Sequence, residues 1–293
     1  VSRLLVIRLS ALGDVIHTIP AVVALRERHE IAWVVEAPYR ELVEVVAGVR
    51  AIPVSLKRWS AGNILAAWRA VRGFDAAIDF QGLVKSALLA RASGARERIG
   101  FAREFVREKP AAWLMNRRVM IDPRKHVVEW NLQLAGVEHA PPVDFTKFAT
   151  NEKRRTTNIV LLPGAGRAEK QWPHFPELAR RLGDVALAAW GPGEEELAKA
   201  TGARLAPRTS LRELAQLLRD AALVIGGDTG PLHLAAALGT PVIGLYGPTN
   251  PARNGPYGQL GNVVETYSTT KAMSSIGVDD VMRKIGELKI MSR

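Results

Sequence analysis

The 293 residues carry 40 Lys+Arg against 29 Asp+Glu, a formal net charge of +11, with 47% hydrophobic residues and no cysteine. The missing cysteine excludes a disulfide framework, thiolate metal sites and a cysteine nucleophile. The length and apolar content suit two globular domains with substantial cores. A positive balance favours anionic partners such as nucleic acid, an anionic membrane surface or an acidic substrate. The charge is concentrated, with 15 Lys+Arg against 6 Asp+Glu between positions 57 and 125.

The apolar run at 4–12 is broken by Arg8 and followed by Asp14 and His17. It fits neither a signal peptide nor a membrane-spanning helix, so the chain reads as cytoplasmic. Short β-branched runs then alternate with helix-length amphipathic segments, the pattern of an α/β protein with parallel sheets covered by helices on both faces. Strands are expected at 4–9, 31–36, 51–54 and 76–80, and helices at 15–28, 39–47, 61–72 and 83–92. Residues 138–158, with Pro141, Pro142 and no apolar period, read as the linker, which sets domains at 1–150 and 151–293. The pattern restarts with strands at 159–162, 185–190, 223–225 and 242–246 and helices at 176–182, 194–200 and 232–238. Two doubly wound units in tandem predict a ligand cleft between them, at the C-terminal ends of both sets of strands.

Three segments carry candidate chemistry. LSALGDVIH, at 9–17, is a strand, a turn and a helix start containing Ser10, Gly13 and Asp14. Backbone N–H groups at such a start suit anions, Gly13 permits a tight turn or a close approach, and Asp14 reads on spacing as a helix N-cap. PGAGRAEKQW, at 163–172, offers Gly164, Ala165, Gly166 and Lys170 as a phosphate loop, although it has neither the Walker nor the dinucleotide pattern. Outside such a loop Lys170 is a surface lysine, and Trp172 a core or interface anchor. The block GGDTGPLHLAAALGTPVIGLYGPTNP, at 226–251, ends a strand and opens a helix at Asp228, Thr229 and Gly230. The first N–H groups of that helix suit a diphosphate, and His233 falls in the same first turn. No carboxylate or histidine cluster has metal-ligand spacing, so no essential metal is expected. The tryptophans at 59, 68 and 113 sit at helical spacing and read as core before interface.

With GDVIHTIPA, the glycine loop with Lys170 and Trp172, and DTGPLHLAAALGTPVIGLYGPT in place, the chain resembles glycosyltransferase family nine, the ADP-heptose lipopolysaccharide heptosyltransferases. The resemblance implies a GT-B fold of two Rossmann-like domains facing a central cleft, and an inverting transfer of heptose without a cofactor. WVVEAPY, LKRW, DFQGLVKSALLAR and AREFVREKPAAWLMNRR resemble the heptosyltransferase I branch, which adds the first heptose to Kdo. That likeness implies ADP-heptose as donor, Kdo-lipid A as acceptor, and work at the cytoplasmic face of the inner membrane without nucleic acid. It also implies Asp14 as the base. Gly164, Ala165, Gly166, Lys170, Asp228, Thr229, Gly230 and His233 would lie on the donor side, with Glu194 or Glu195 at the adenosine ribose. Arg8, Ser10, Gly13, Lys57, Arg58, Gln81, Lys85 and Arg118 would lie on the acceptor side.

Two positions depart from that branch. Ala165 and Gly166 replace a hydroxyl pair, which suggests a donor grip closer to the second heptosyltransferase, and Arg8 replaces a lysine, keeping charge while changing geometry. Two other readings remain open on sequence: a GT-B transferase using a different nucleotide sugar, and a two-domain protein that closes on an anion without reaction. A nucleic-acid binder is disfavoured because no recognised binding motif is present.

Overall fold

The computed structural model describes residues 2–55, 61–150, 152–154 and 156–288. The chain divides after Lys147 into two compact units.

In the first unit, strands β1 (Ser2–Ile7), β2 (His29–Glu36), β3 (Arg50–Val54), β4 (Ala76–Asp79), β5 (Glu97–Phe101) and β6 (Arg117–Val119) pair in parallel in the order β3-β2-β1-β4-β5-β6. β1 is central and its last four residues are buried, as a parallel strand covered on both faces requires. Leu5, Ile7, Ala32, Val34 and Ala77 share one apolar cluster with Ala87 and Ala90 of the helix Val84–Ala92. Helix α1 (Leu12–Leu25) is buried along nearly its whole length. The helix Val127–Ala135 packs on it, and Asn131 Nδ2 donates to the His17 carbonyl at 2.9 Å.

The second unit repeats the plan. Strands β7 (Ile159–Leu162), β8 (Ala186–Ala188), β9 (Arg204–Leu205), β10 (Leu223–Gly227), β11 (Val242–Tyr246) and β12 (Val263–Glu265) are parallel in the order β12-β11-β10-β7-β8-β9. Counted from its own first strand this is the same order as in the first unit, so both are Rossmann-like and doubly wound. The order reverses between β1 and β4, and again between β7 and β10. The carboxyl ends of strands at such a reversal are where ligands of this architecture sit. There the chain places residues 8–14 and 80–86 in one unit, and 163–172 and 228–233 in the other.

The structure adds what periodicity missed. β6, β9 and β12 are edge strands of two or three residues, too short to carry an apolar run that reads as a strand. The segment expected as a polar linker is pinned by Phe145, Phe148 and Ala149, all buried. The helix expected at 39–47 is helical only over Arg40–Leu42, then widens to a π turn over Val43–Ala47 and stops at Gly48 with φ +66°, a left-handed terminus that favours glycine.

Candidate active site

In the first unit β1 ends directly before Arg8, whose guanidinium is buried. Its Nη1 donates to the Phe80 carbonyl just beyond β4, and its Nη2 lies 2.6 Å from Asp14 Oδ1. Asp14 is the third residue of α1, and its Oδ2 accepts the Ala11 N–H at 3.4 Å. It is therefore not the N-cap that spacing suggests. Ala11 holds that position without a capping side chain, so the carboxylate reaches back to the helix mouth from inside. Arg107 brings a second guanidinium to 3.7 Å from Asp14 Oδ2. Tyr39 takes a hydrogen bond from Leu12 N–H, and its phenol is pushed up by burial and by the charges of Glu36 and Asp14, so it stays protonated. Leu9 and Ser10 donate their N–H groups to Gln81 Oε1 at 2.9 and 3.3 Å.

In the second unit the loop after β7 and the helix after β10 meet at one carboxylate. Lys170 Nζ donates to Asp228 Oδ2 at 2.7 Å, and His233 Nε2 lies 3.0 Å from Asp228 Oδ1. Burial pushes the Asp228 carboxyl up, but the hydrogen bonds and charges of His233 and Lys170 outweigh it and hold the group at about 2. A Cβ at Gly227 would lie 3.1 Å from the Lys170 carbonyl, so a glycine at the end of β10 lets the lysine loop pass this close. The helix Gly230–Ala237 starts after Thr229, and Pro231 removes one first-turn donor, leaving the N–H groups of Gly230 and Leu232 for a ligand. Thr229 Oγ1 is buried there without a hydrogen-bond partner among the described residues.

The expected donor residues separate on this geometry. Glu194 Oε2 accepts the Gly191 N–H at 2.9 Å, and its carboxylate lies so close to Gly164 that a Cβ there would sit 2.1 Å from the carboxyl carbon. Glu194 thus joins the loops after β7 and β8. Glu195 is exposed and pairs with Lys199 at 3.0 Å, so of the two only Glu194 faces the phosphate loop. Ala165 is half-buried and Gly166 exposed in that loop. Asp228, expected as a donor contact, binds Lys170 through Oδ2 and His233 through Oδ1, and so anchors both beside the helix start. Trp172 is the core anchor expected, with Nε1 bonded to the Ile276 carbonyl at 2.9 Å.

The expected acceptor residues separate too. Arg8 and Ser10 join Asp14 at the β1 end. Gly13 is buried inside the first turn of α1 and is not among the glycines of positive φ, so what it supplies is the absence of a side chain and not a turn. Gln81 is buried, with its Oε1 already taken. Lys85 is half-buried in the first turn of Val84–Ala92. Arg118 is on β6, three strands from β1, roughly 14 Å away at the usual strand spacing, and its Nε donates to the Ala112 carbonyl. Lys57, Arg58 and Trp59 lie outside the described residues. Trp113 is 66% exposed and Trp68 41% exposed, so neither is the core residue expected. Among the described residues no His, Asp and Glu side chains are gathered in a group that could hold a metal, and no helix is long and apolar enough to cross a membrane.

The model of glycosyltransferase family 9 (heptosyltransferase) matches residues 64–284. The chain belongs to this family. Lipopolysaccharide heptosyltransferase 1 of Escherichia coli K12 is 32% identical over 98% of this chain and 100% of its own length. The structure of E. coli heptosyltransferase WaaC with ADP shares 31% identity, with a TM-score of 0.82 over 97% of this chain and 99% of that one. WaaC with ADP-2-deoxy-2-fluoro heptose gives a TM-score of 0.79. Lipopolysaccharide heptosyltransferase 2 of E. coli K12, 33% identical, matches over only 36% of this chain. The architecture is the GT-B fold, and the chain is a family 9 glycosyltransferase.

Three residues of this glycosyltransferase escaped sequence reasoning. Arg107 sits in the segment AREFVREKPAAWLMNRR, where its charge is one among several and only the chain path after β5 brings it to Asp14. Tyr39 was legible only as part of WVVEAPY. Asp79, the last residue of β4, is buried, and its carboxyl is pushed up to about 6 by burial, against hydrogen bonds from Gln81, Ser86 and Gly82 and the charge of Arg8. Asp79 heads the segment DFQGLVKSALLAR, but nothing in that segment marks it as a buried carboxylate that organises the turn.

Proposed function

We propose that this enzyme transfers heptose from ADP-heptose to a hydroxyl of Kdo in the lipopolysaccharide inner core, with inversion and without an essential metal. The observation that carries the reading is the Lys170–Asp228–His233 cluster at a helix mouth, in a chain that resembles WaaC, solved with ADP and with ADP-2-deoxy-2-fluoro heptose, along almost its whole length. The full-length likeness to heptosyltransferase 1, against 36% coverage for heptosyltransferase 2, favours the first heptose addition despite Ala165 and Gly166.

The second unit holds the nucleotide. Asp228, ionised at any working pH, fixes the Lys170 ammonium beside the N–H groups that begin Gly230–Ala237, and the two together offset the charge that grows on the diphosphate as it leaves. The first unit handles the acceptor. The Kdo hydroxyl oxygen attacks the anomeric carbon, the bond to the diphosphate oxygen breaks and ADP departs with its electron pair. The hydroxyl proton passes to Asp14, whose carboxylate Arg8 orients. Arg107 and the basic segment that follows it complement the Kdo carboxylate and lipid A phosphates. Trp113 and Met120, each 66% exposed and flanking Arg117 and Arg118 in the chain, suit a peripheral contact with an anionic bilayer at its cytoplasmic face.

Mass spectrometry after incubation with ADP-heptose and Kdo-lipid A tests the reading. The expected product is Kdo-lipid A bearing one heptose, with ADP released in equal amount. Transfer only from a different nucleotide sugar would replace the donor, and no transfer from any would leave an anion-binding protein. Sedimentation with phosphatidylglycerol vesicles tests the membrane contact, which requires binding that salt weakens.

A further inference from the structure

The loop after β4 is tied to the residues that lead from the end of β1 towards Asp14. Asp79 Oδ1 accepts the N–H groups of Gln81 and Gly82 at 2.9 and 3.3 Å, and its Oδ2 accepts the Ser86 hydroxyl at 2.9 Å. These bonds set a tight turn with Gly82 at φ +67°. The turn then presents two acceptors to the strand beside it. Phe80 offers its carbonyl to Arg8 Nη1, and Gln81 offers Oε1 to the N–H groups of Leu9 and Ser10. Arg8 in turn holds Asp14.

We infer that Asp79 and Gln81 are positioning residues, a clamp from the β4 loop that fixes residues 8–10 and so aligns the Arg8 guanidinium with the Asp14 carboxylate. Neither side chain needs to touch a substrate. Gln81, expected on sequence as an acceptor contact, spends its carbonyl oxygen on this clamp. Asp79 is a carboxylate whose burial opposes its ionisation, and its acceptor capacity goes to two backbone N–H groups and one hydroxyl. The inference rests on the reading of Asp14 as the base for its kinetic consequence, but the clamp has a structural readout of its own.

The test uses Asp79→Ala, Asp79→Asn and Gln81→Met in the full chain. Hydrogen exchange of the Leu9 and Ser10 amides reports the clamp, and kcat with donor KM reports its consequence. In Asp79→Ala and Gln81→Met the two amides are expected to exchange faster, kcat to fall on the order of 10- to 100-fold through misalignment, and donor KM to stay at the wild-type value. Asp79→Asn keeps an acceptor for Gln81 and Gly82, so it should restore both amide protection and turnover. If Asp79→Ala does not fold, Gln81→Met carries the same test, because it leaves the turn intact. Wild-type exchange at Leu9 and Ser10 in the folded variants would overturn the clamp, and faster exchange with wild-type kcat would overturn its role in catalysis. Retained turnover in Asp14→Asn would instead remove the base, while the exchange measurement would still decide the clamp.

Discussion

The two units share one strand order and place their charged residues at the same reversal, yet they present opposite charges. In the first, the cation is the buried partner: the Arg8 side chain is 8% exposed and Asp14 23%, so the carboxylate is the group offered outward. In the second, the carboxylate is buried: Asp228 is 10% exposed and Lys170 17%, so the ammonium is offered. Topology fixes where a ligand goes, and the choice of which ion to bury fixes what the ligand meets. A group that accepts a proton and a group that receives a departing diphosphate are the two needs of the transfer proposed above, and under that proposal each unit supplies one.

The largest effect expected from breaking this comparison is at Asp14. Asp14→Asn should lower kcat by roughly 10²- to 10⁴-fold. Because Asp14 also faces the buried Arg8, the substitution should cost about 1.5 to 3 kcal/mol of stability, seen by urea unfolding, so turnover must be compared well below the melting transition.

Asp79→Asn should do the reverse. The folded Asp79 carboxyl is raised to about 6 from 3.8, so its favourable contribution is present below about pH 4 and is lost as pH rises through 6. The asparagine should therefore gain about 3 kcal/mol over the wild type at pH 8 and nothing at pH 3.5, in paired urea titrations. An equal gain at both would place the cause outside this ionisation.

Lys170→Ala removes the ammonium that the second unit offers. ADP affinity should fall by about 1.5 to 3 kcal/mol, roughly 10- to 100-fold, with acceptor KM unchanged. Unchanged ADP affinity would put Lys170 outside the nucleotide site.

The smallest effect belongs to Arg107, 65% exposed at 3.7 Å from Asp14. Exposed pairs of this kind are worth about 0 to 1 kcal/mol. Arg107→Ala should raise acceptor KM modestly and less at high salt, whereas Arg8→Ala should depress kcat at any salt. Equal losses from both would erase the distinction between a guanidinium that steers and one that positions.

Much of this was legible in the chain. β11 falls on the expected residues because a fully buried parallel strand is a bare apolar run bounded by turn residues, and the glycine loop and DTGPLH segment were found for the same reason at the ends of such runs. Edge strands such as β6 were not legible, since Arg117 and Arg118 face solvent. The helix Leu211–Asp220, absent from the expected elements, has a legible Ser210–Glu213 capping box at its start. Spacing alone suggests a cap at Asp14, because it does not tell the residue before a helix from the third residue within it; the base role came only from the family resemblance. The roles of Arg107 and Asp79 were not legible: one reaches Asp14 only through the path of the chain after β5, and the other acts through the Phe80 carbonyl and Gln81 side chain that its turn presents to residues 8–10.

The central claim, that the first unit supplies the proton acceptor and the second the diphosphate site, is tested most directly by calorimetric titration of ADP into Asp14→Asn and Lys170→Ala beside the wild type. The account predicts that Asp14→Asn, though nearly inactive, binds ADP with wild-type affinity while Lys170→Ala binds it at least about tenfold more weakly. A loss of ADP affinity in Asp14→Asn as large as that in Lys170→Ala would contradict it.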